Sequence, residues 1–414
     1  MGGVTHAGIM PAPMGSTRQV ADRPARTQVA IVGAGPAGLM LAHLLHLAGV
    51  DSVVIEARSR EHVEQRVRAG VLEQGTVDLL VESGAGERLL RERLVHHGIE
   101  LRFDGHRHRI DLSGLTGGRT ISVYGQQEVV KDLIAARLAA GGPLLFEVED
   151  VTLEGIESEL PVVSFRHDGA AHRLECAAIA GCDGFHGVCR PSIPRGVLRE
   201  HAHEYPFAWL GILAAVAPST EEVVYSRHER GFALHSMRSP RVSRLYLQVD
   251  ATDALDAWPD DRIWSELQVR LAVDGWTLHE GPIIERTMAP LRSFVAAPMQ
   301  HGRLYLAGDA AHIVPPTGAK GMNLAIADVR VLARGLVELC RGHGTTLIDA
   351  YSETRLRHVW QAQQFSGWMT SVLHRLPADG DWQARLRLAE LRYTVGSRAA
   401  STSLAERYVG YDAE

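Results

Sequence analysis

Residues 29–56 read VAIVGAGPAGLMLAHLLHLAGVDSVVIE, and the order of events within them decides the fold. The apolar run Val29-Ala30-Ile31-Val32 suits a central strand of a parallel sheet. Gly33-Ala34-Gly35-Pro36-Ala37-Gly38 follows at once, and Leu39 to Leu45 continue as a helix. Ser52-Val53-Val54-Ile55 then predicts a second strand, closed by Glu56. In such a turn the three glycines serve different ends. Gly33 permits the tight bend, Gly35 lets a pyrophosphate approach the backbone, and Gly38 lets the helix pack on the strand. The helix N-terminus attracts phosphate charge. Glu56 falls where a carboxylate accepts hydrogen bonds from an adenosine ribose. A glycine triplet alone is weak evidence, but strand, helix and acid in agreement predict dinucleotide binding.

Composition bounds the rest. The chain has 414 residues, 45% hydrophobic and 22% charged, ordinary globular values with length for two or three domains. Formal net charge is −6 and no Lys/Arg run occurs, so nothing marks a nucleic-acid partner. Cys176, Cys182, Cys189 and Cys340 follow no zinc spacing. They read as small core residues of a reduced, cytoplasmic protein, and no metal is expected. No apolar stretch approaches the roughly 20 residues that span a bilayer. Residues 1–25 mix Gly, Pro, Ala and polar residues without period, which predicts a mobile extension.

A second strand-and-turn signature is Ala177-Ala178-Ile179-Ala180-Gly181 followed by CDGFHGVCR, and a third is LAGDAAHIVPPTGAKGMN at 306–323. In the third, an apolar strand ends in a buried-looking Asp309, and Pro315-Pro316 stop both sheet and helix. Gly318 and Gly321 let backbone approach something closely, and a helix begins at Asn323-Leu324-Ala325. Read as a βα connection alone, the stretch explains its glycines but not its aspartate.

Together the three signatures resemble those of the FAD-dependent aromatic hydroxylases. RAGVLEQGTVDLL at 68–80, VYGQQEV at 123–129, YPFAWLG at 205–211, RGFALHSMRS at 230–239, APLRSFV at 289–295 and RYVG at 407–410 are similar to the members that hydroxylate 4-hydroxybenzoate. The resemblance implies a Rossmann-like, glutathione-reductase-type FAD-binding domain, a mixed-sheet substrate domain and C-terminal helices. The segments implied are 26–199 for FAD, 200–289 for substrate and 290–414 for the flavin-ring segment and a C-terminal helical region that forms a homodimer.

The implied activity is conversion of a small aromatic acid, 4-hydroxybenzoate, to 3,4-dihydroxybenzoate with O2 and NADPH or NADH, through a flavin C4a-hydroperoxide. A hydroxylase of another phenolic acid and a non-catalytic flavin-binding protein are the alternatives. In the family a serine and an arginine clamp the substrate carboxylate and two tyrosines touch the ring; the matching residues are Ser236, Arg238, Tyr225 and Tyr246. The residues allow this independently, since Arg238 offers a fork of donors matched to a carboxylate and Phe232, Leu234, Ser236 and Arg238 alternate as strand residues do. Arginine and tyrosine alternating on strands can equally form an exposed sheet face.

The same match assigns proton transfer to Tyr225, Tyr408 and His96, and gives Pro316 a carbonyl toward the substrate hydroxyl. The alternative for His96 is a surface histidine before a turn. Asp309 matches the ribityl ligand, and Arg68, Gln126, Arg244, Gly318, Lys320, Gly321 and Asn323 match flavin contacts beside Gly33, Gly35, Gly38 and Glu56. Arg66, His186, Arg190 and Arg292 match nicotinamide contacts. Where NADPH-selective relatives carry Arg-Gln, this chain has Ala57-Arg58-Ser59-Arg60, so Arg58 and Arg60 remain to meet a 2′-phosphate and use of both donors is expected. Trp360, Phe365, Trp368, Met369 and Val372 fall near helical spacing, as an internal core stripe does.

Overall fold

The computed structural model describes residues 25–66, 70–376 and 380–410. The expected mobile extension, apart from Ala25, and the candidate Arg68 lie outside the described residues. Val29–Val32 is buried throughout and pairs in parallel with Ser52–Ile55 on one side and Ala178–Gly181 on the other. Leu304–Leu306 continues the sheet beyond Ala178–Gly181, and Leu144–Leu145 and Gln300–His301 complete six strands. The helix Pro36–Leu47 opens with proline at its first position, where the missing N–H costs no hydrogen bond. It packs beside Gln126–Ala139 and Gly321–Cys340. A four-stranded sheet adds Val163, Phe165 and Leu174 to the same core.

A second, eight-stranded mixed sheet is built around the long strands Arg199–Ala214 and Ile283–Ala297. Its order continues through Val242–Asp250, Ala233–Ser239 and Val223–Ser226 to Gly98–Phe103 and His106–Asp111. The sheet is therefore not confined to 200–289. Val223–Ser226 would otherwise present an unpaired edge, and the parallel partner Gly98–Phe103 closes it.

Alternation gives this sheet two faces. Leu210, Val224, Ala233, Leu245 and Leu247 pack against Ile263, Trp264 and Leu267 of the helix Asp260–Arg270. Trp209, Tyr225, Phe232 and Leu234 pack against Phe365, Met369, Leu391, Leu404 and Tyr408 of the C-terminal helices. Phe365, Met369 and Val372 are core, as the helical stripe predicts, whereas Trp360 is 45% exposed. No helix among the described residues is long and apolar enough to cross a membrane.

Candidate active site

Three signature turns converge because their strands are parallel neighbours, so their C-terminal ends share one edge. Gly33 N donates to Ile55 O at 2.8 Å, Cys182 N to Val32 O at 2.8 Å, and Ala307 N to Gly181 O at 3.0 Å. Ligands of open parallel sheets bind at this edge. The glycines divide by what surrounds them. A Cβ on Gly33, whose φ is +107°, would lie 2.3 Å from Cys182 O, and one on Gly38 would lie 1.9 Å from Gly33 O. Gly35 and Gly321, at the starts of two long helices, have nothing within 4 Å of an added Cβ. Both leave open space over amides that suit a phosphate.

Glu56 accepts from Ala34 N at 2.7 Å and Arg58 N at 2.9 Å, which spends half the acceptor capacity of a carboxylate and leaves the rest for ribose hydroxyls. Asp183 Oδ2 accepts from Cys189 N, while Oδ1 is buried without a hydrogen-bond partner among the described residues. Such an acceptor suits a donor on a bound molecule. Open helix starts, a half-used carboxylate and an orphaned acceptor together fit FAD.

Asp309 departs from expectation: it is exposed, while its neighbours Gly308 and Ala310 are buried. The short helical turn at Gly308–Ala310 directs the carboxylate out of the core, where an ionised group is cheap to hold and within reach of a ligand. The buried acid beside this turn is Asp328, on the helix Gly321–Cys340, a residue the sequence pattern did not single out. It accepts from Gly308 N at 3.0 Å and meets His312 at 2.6 Å and Arg355 at 2.8 Å; burial works to raise its pKa, and these two partners hold it below the usual carboxylate range. A charge on the apolar face of a helix was the available signal.

The turn after it is built tightly. Pro316 is exposed, and its carbonyl accepts from Ala319 N at 3.0 Å, leaving one lone pair. Ala319 has φ +54°, a conformation unusual without glycine. A Cβ on Gly318 would lie 2.6 Å from Ser366 Oγ, so this glycine serves close packing on the helix Tyr351–Leu373. Lys320 Nζ bonds Glu73 Oε1 at 2.5 Å and the Tyr408 carbonyl at 3.3 Å, besides the Arg407 carbonyl. Much of its charge is met inside the protein, and Glu73, unmarked in sequence, is the reason. Asn323 spends all four of its hydrogen bonds, on Glu73 N, Thr76 Oγ1, Val71 O and Ala319 O. The helix that carries it starts at Gly321 rather than Asn323.

On the C-terminal-helix face of the larger sheet, register sets the remaining candidates side by side. Leu234 lies opposite both Tyr225 and Tyr246, and Ser236 opposite Arg244. Tyr225 and Tyr408 hydroxyls meet at 2.5 Å, both side chains buried. Burial raises both tyrosine pKa values, so each stays a neutral phenol. Arg244 Nε donates to Tyr246 OH at 3.0 Å, and Arg238 Nη2 donates to Gln127 Oε1. Ser236 is half-buried, with Oγ 3.5 Å from Met237 O. Trp209 Nε1 donates to His374 Nε2 at 2.7 Å, and the imidazole stacks between Phe207 and Phe232. Neither Gln127 nor His374 carried a sequence signal.

His96 is not the surface residue its setting allows. It is 1% exposed, and neither ring nitrogen has a hydrogen-bond partner among the described residues. Burial pushes its pKa down to about 4, so it is a neutral imidazole at neutral pH. No hydrogen bond joins it directly to the tyrosine pair. Gln126 begins the helix Gln126–Ala139 and is half-buried.

The nicotinamide candidates divide. His186, Arg190 and Arg292 gather around Phe185, the two guanidinium groups 4.7 and 5.1 Å from its ring centre. Arg190 also bonds Glu200, the Ala310 carbonyl and the Phe185 carbonyl, which ties this cluster to the third signature turn. Arg58 and Arg66 are exposed at the two ends of the helix Arg60–Gln65, and Arg60 pairs with Glu64 at 2.6 Å.

Residues 26–366 match the model of a family described as "FAD binding domain". The chain is 49% identical over 386 residues to the p-hydroxybenzoate hydroxylase of Acinetobacter baylyi, covering 93% of this chain and 95% of that one. It is 25% identical over 358 residues to a probable NADH-specific resorcinol 4-hydroxylase of Rhodococcus jostii, covering 84% of this chain and 64% of that protein. The fold is similar to p-nitrophenol 4-monooxygenase of Pseudomonas putida, with a TM-score of 0.81 at 18% identity over 94% of this chain and 100% of that one.

Proposed function

The chain belongs to the FAD-binding-domain family and is an FAD-dependent aromatic monooxygenase, and from that premise we propose that it hydroxylates 4-hydroxybenzoate at position 3. The balance is one phenolic acid, O2, NAD(P)H and a proton giving 3,4-dihydroxybenzoate, NAD(P)+ and water. The observation that carries the reading is the buried 2.5 Å contact between Tyr225 and Tyr408, on the sheet face that also holds Ser236 and Arg238. The name of the Acinetobacter relative supports it.

Gly33, Gly35, Gly38, Glu56, Asp309 and Gly321 would hold FAD at the sheet edge, together with Gln126 and Arg244. The chemistry supplied by FAD when bound is reduction by NAD(P)H and activation of O2. Ser236 and Arg238 hold the substrate carboxylate, a fork matched to two oxygens. Tyr246 and Tyr225 bound the ring, and the remaining lone pair of Pro316 O orients the phenolic hydroxyl. A ring carbon ortho to a phenolate is more electron-rich than one ortho to a phenol, so removal of that proton accelerates hydroxylation. Because Tyr225 and Tyr408 stay protonated, Tyr225 can take the proton only by passing its own to Tyr408 in the same step. Transfer onward to His96 needs an intermediary group. Glu73 and Asn323 keep Lys320 and the turn in register with the helix that carries Tyr408.

His186, Arg190 and Arg292 receive the nicotinamide donor, and Arg58 meets a 2′-phosphate when one is present. Either donor is used. The four cysteines are free, in keeping with a cytoplasmic location. A homodimer forms through the helix Asp381–Gly396, where Trp382, Leu386 and Tyr393, exposed by 71%, 48% and 65%, share one stripe.

The test is a panel of phenolic acids and neutral phenols added to the purified holoenzyme, with donor oxidation followed and product identified. 4-Hydroxybenzoate should accelerate donor oxidation most and yield 3,4-dihydroxybenzoate. A different acid giving the faster coupled reaction would replace the substrate assignment, and donor oxidation without any hydroxylated product would remove the proposal.

A further inference from the structure

Arg238 leaves the strand Ala233–Ser239 and meets Gln127, whose Oε1 accepts from Nη2. Gln127 belongs to another part of the molecule. It is the second residue of the helix Gln126–Ala139, whose Val129, Val130, Leu133 and Ile134 are fixed in the nucleotide-side core. Its amide lies back over Gly125, where an added Cβ would stand 2.8 Å from both Oε1 and Nε2. The bare Cα of Gly125 thus makes the room for that orientation, and a well-anchored helix start presents the acceptor.

The chemical type of that acceptor matters. Arg102, Arg270 and Arg355 are each held by a carboxylate, from Glu100, Glu266 and Asp328. Those pairs meet their charge internally. An amide oxygen holds a guanidinium in one plane and adds no negative charge. Burial lowers the Arg238 pKa and the nearby Arg244 lowers it further, while Tyr246, Glu128 and Glu285 act in the other direction without cancelling the two. Two cations on one face favour the arrival of an anion.

We propose that Gln127 is a positioning residue of the carboxylate site: it fixes the plane of the Arg238 fork for two-oxygen contact and adds no negative charge of its own, so that the site selects aromatic acids over neutral rings of the same shape. This rests on reading Arg238 as the clamp for 4-hydroxybenzoate. Its consequence is specificity, expressed in affinity and KM more than in the rate at saturation.

Calorimetric titration of FAD-loaded wild type, Gln127→Glu and Gln127→Met with 4-hydroxybenzoate and with 4-hydroxybenzamide tests it at neutral pH. Wild type should prefer the acid by about tenfold or more. Gln127→Glu adds a competing carboxylate and should lose about tenfold or more in acid affinity while amide affinity stays within about twofold. Gln127→Met keeps the length without the acceptor and should lose roughly threefold to tenfold for the acid alone, with FAD content as in wild type. An acid-to-amide ratio unchanged in both variants, or an equal loss for both ligands, overturns the role of Gln127 and leaves the substrate reading standing. Failure of wild type to bind 4-hydroxybenzoate overturns both. Should Gln127→Glu fail to retain FAD, the ratio in Gln127→Met decides.

Discussion

On one face of the eight-stranded sheet Arg102 lies 2.5 Å from Glu100, and on the helix Asp260–Arg270 that packs there Arg270 lies 2.8 Å from Glu266. On the other face Arg238 is bonded to an amide and Arg244 to the phenol of Tyr246. Residue type is the same on both sides, and burial is substantial on both. The difference is what the guanidinium is given. Carboxylate partners make the first face a closed structural assembly, whereas the Gln127 amide and the Tyr246 phenol orient the second without adding negative charge of their own, as recognition of an acid requires.

The largest effects should separate the faces cleanly. Arg238→Ala leaves FAD bound and weakens 4-hydroxybenzoate by about 2–5 kcal/mol, the cost of truncating one side of a desolvated charge pair. Arg270→Ala should leave the affinity of the folded enzyme alone and lower its stability by about 2–4 kcal/mol, because Glu266 loses its buried partner and keeps only the more exposed Arg230. Substrate titration and denaturant unfolding of both variants check this; a stability loss in Arg238→Ala matching that of Arg270→Ala would erase the distinction between the faces.

The histidines give a smaller, pH-dependent contrast. Burial pushes His96 and His235 down to about 4 and His374 to about 3 from 6.5. A depressed histidine is neutral when folded and takes up its proton on unfolding. Its contribution is therefore complete above about pH 6.5 and is lost as pH falls toward 4, by roughly 2 kcal/mol per histidine between pH 7 and pH 5. His235 lies on the structural face, its Nε2 accepting from Ser219 N. His235→Gln should flatten the pH dependence of unfolding by one such share without changing substrate affinity, which urea titrations at the two pH values and a binding titration would reveal. The smallest effect is expected far from both faces: Arg58→Ala should raise KM for NADPH by about two- to fivefold and leave NADH nearly unchanged, as suits one exposed ion pair. Steady-state kinetics with each donor checks this.

The nucleotide edge was legible because its chemistry is contiguous: Gly33 to Gly38 and Glu56 sit within one strand-turn-helix-strand unit, in which Gly33 makes the bend, Gly38 packs closely and Gly35 faces open space. The substrate face was legible only where two strands alternate in step, at Ser236 with Arg244 and Leu234 with Tyr246. What escaped reading is what distant segments supply. Glu73 meets Lys320 across 247 positions, Gln127 meets Arg238 across 111, and His374 meets Trp209 across 165. No local period encodes such contacts. The position of Asp309 was misjudged for a related reason, since apolar neighbours in sequence suggest burial, but a helical turn points their side chains in different directions.

If the face that carries Arg238 and Arg244 is where a phenolic proton is removed and a ring hydroxylated, the ratio of 3,4-dihydroxybenzoate formed to NAD(P)H oxidised must depend on the tyrosine pair. Tyr408→Phe removes the hydroxyl that meets Tyr225 at 2.5 Å and keeps the ring in its packing. Wild type should give a ratio near one. The variant should bind FAD and 4-hydroxybenzoate as wild type does yet show a ratio lowered by about tenfold or more, with peroxide making up the difference. An unchanged ratio, or a fall matched by lost substrate affinity, would contradict the assignment of that tyrosine pair to proton transfer.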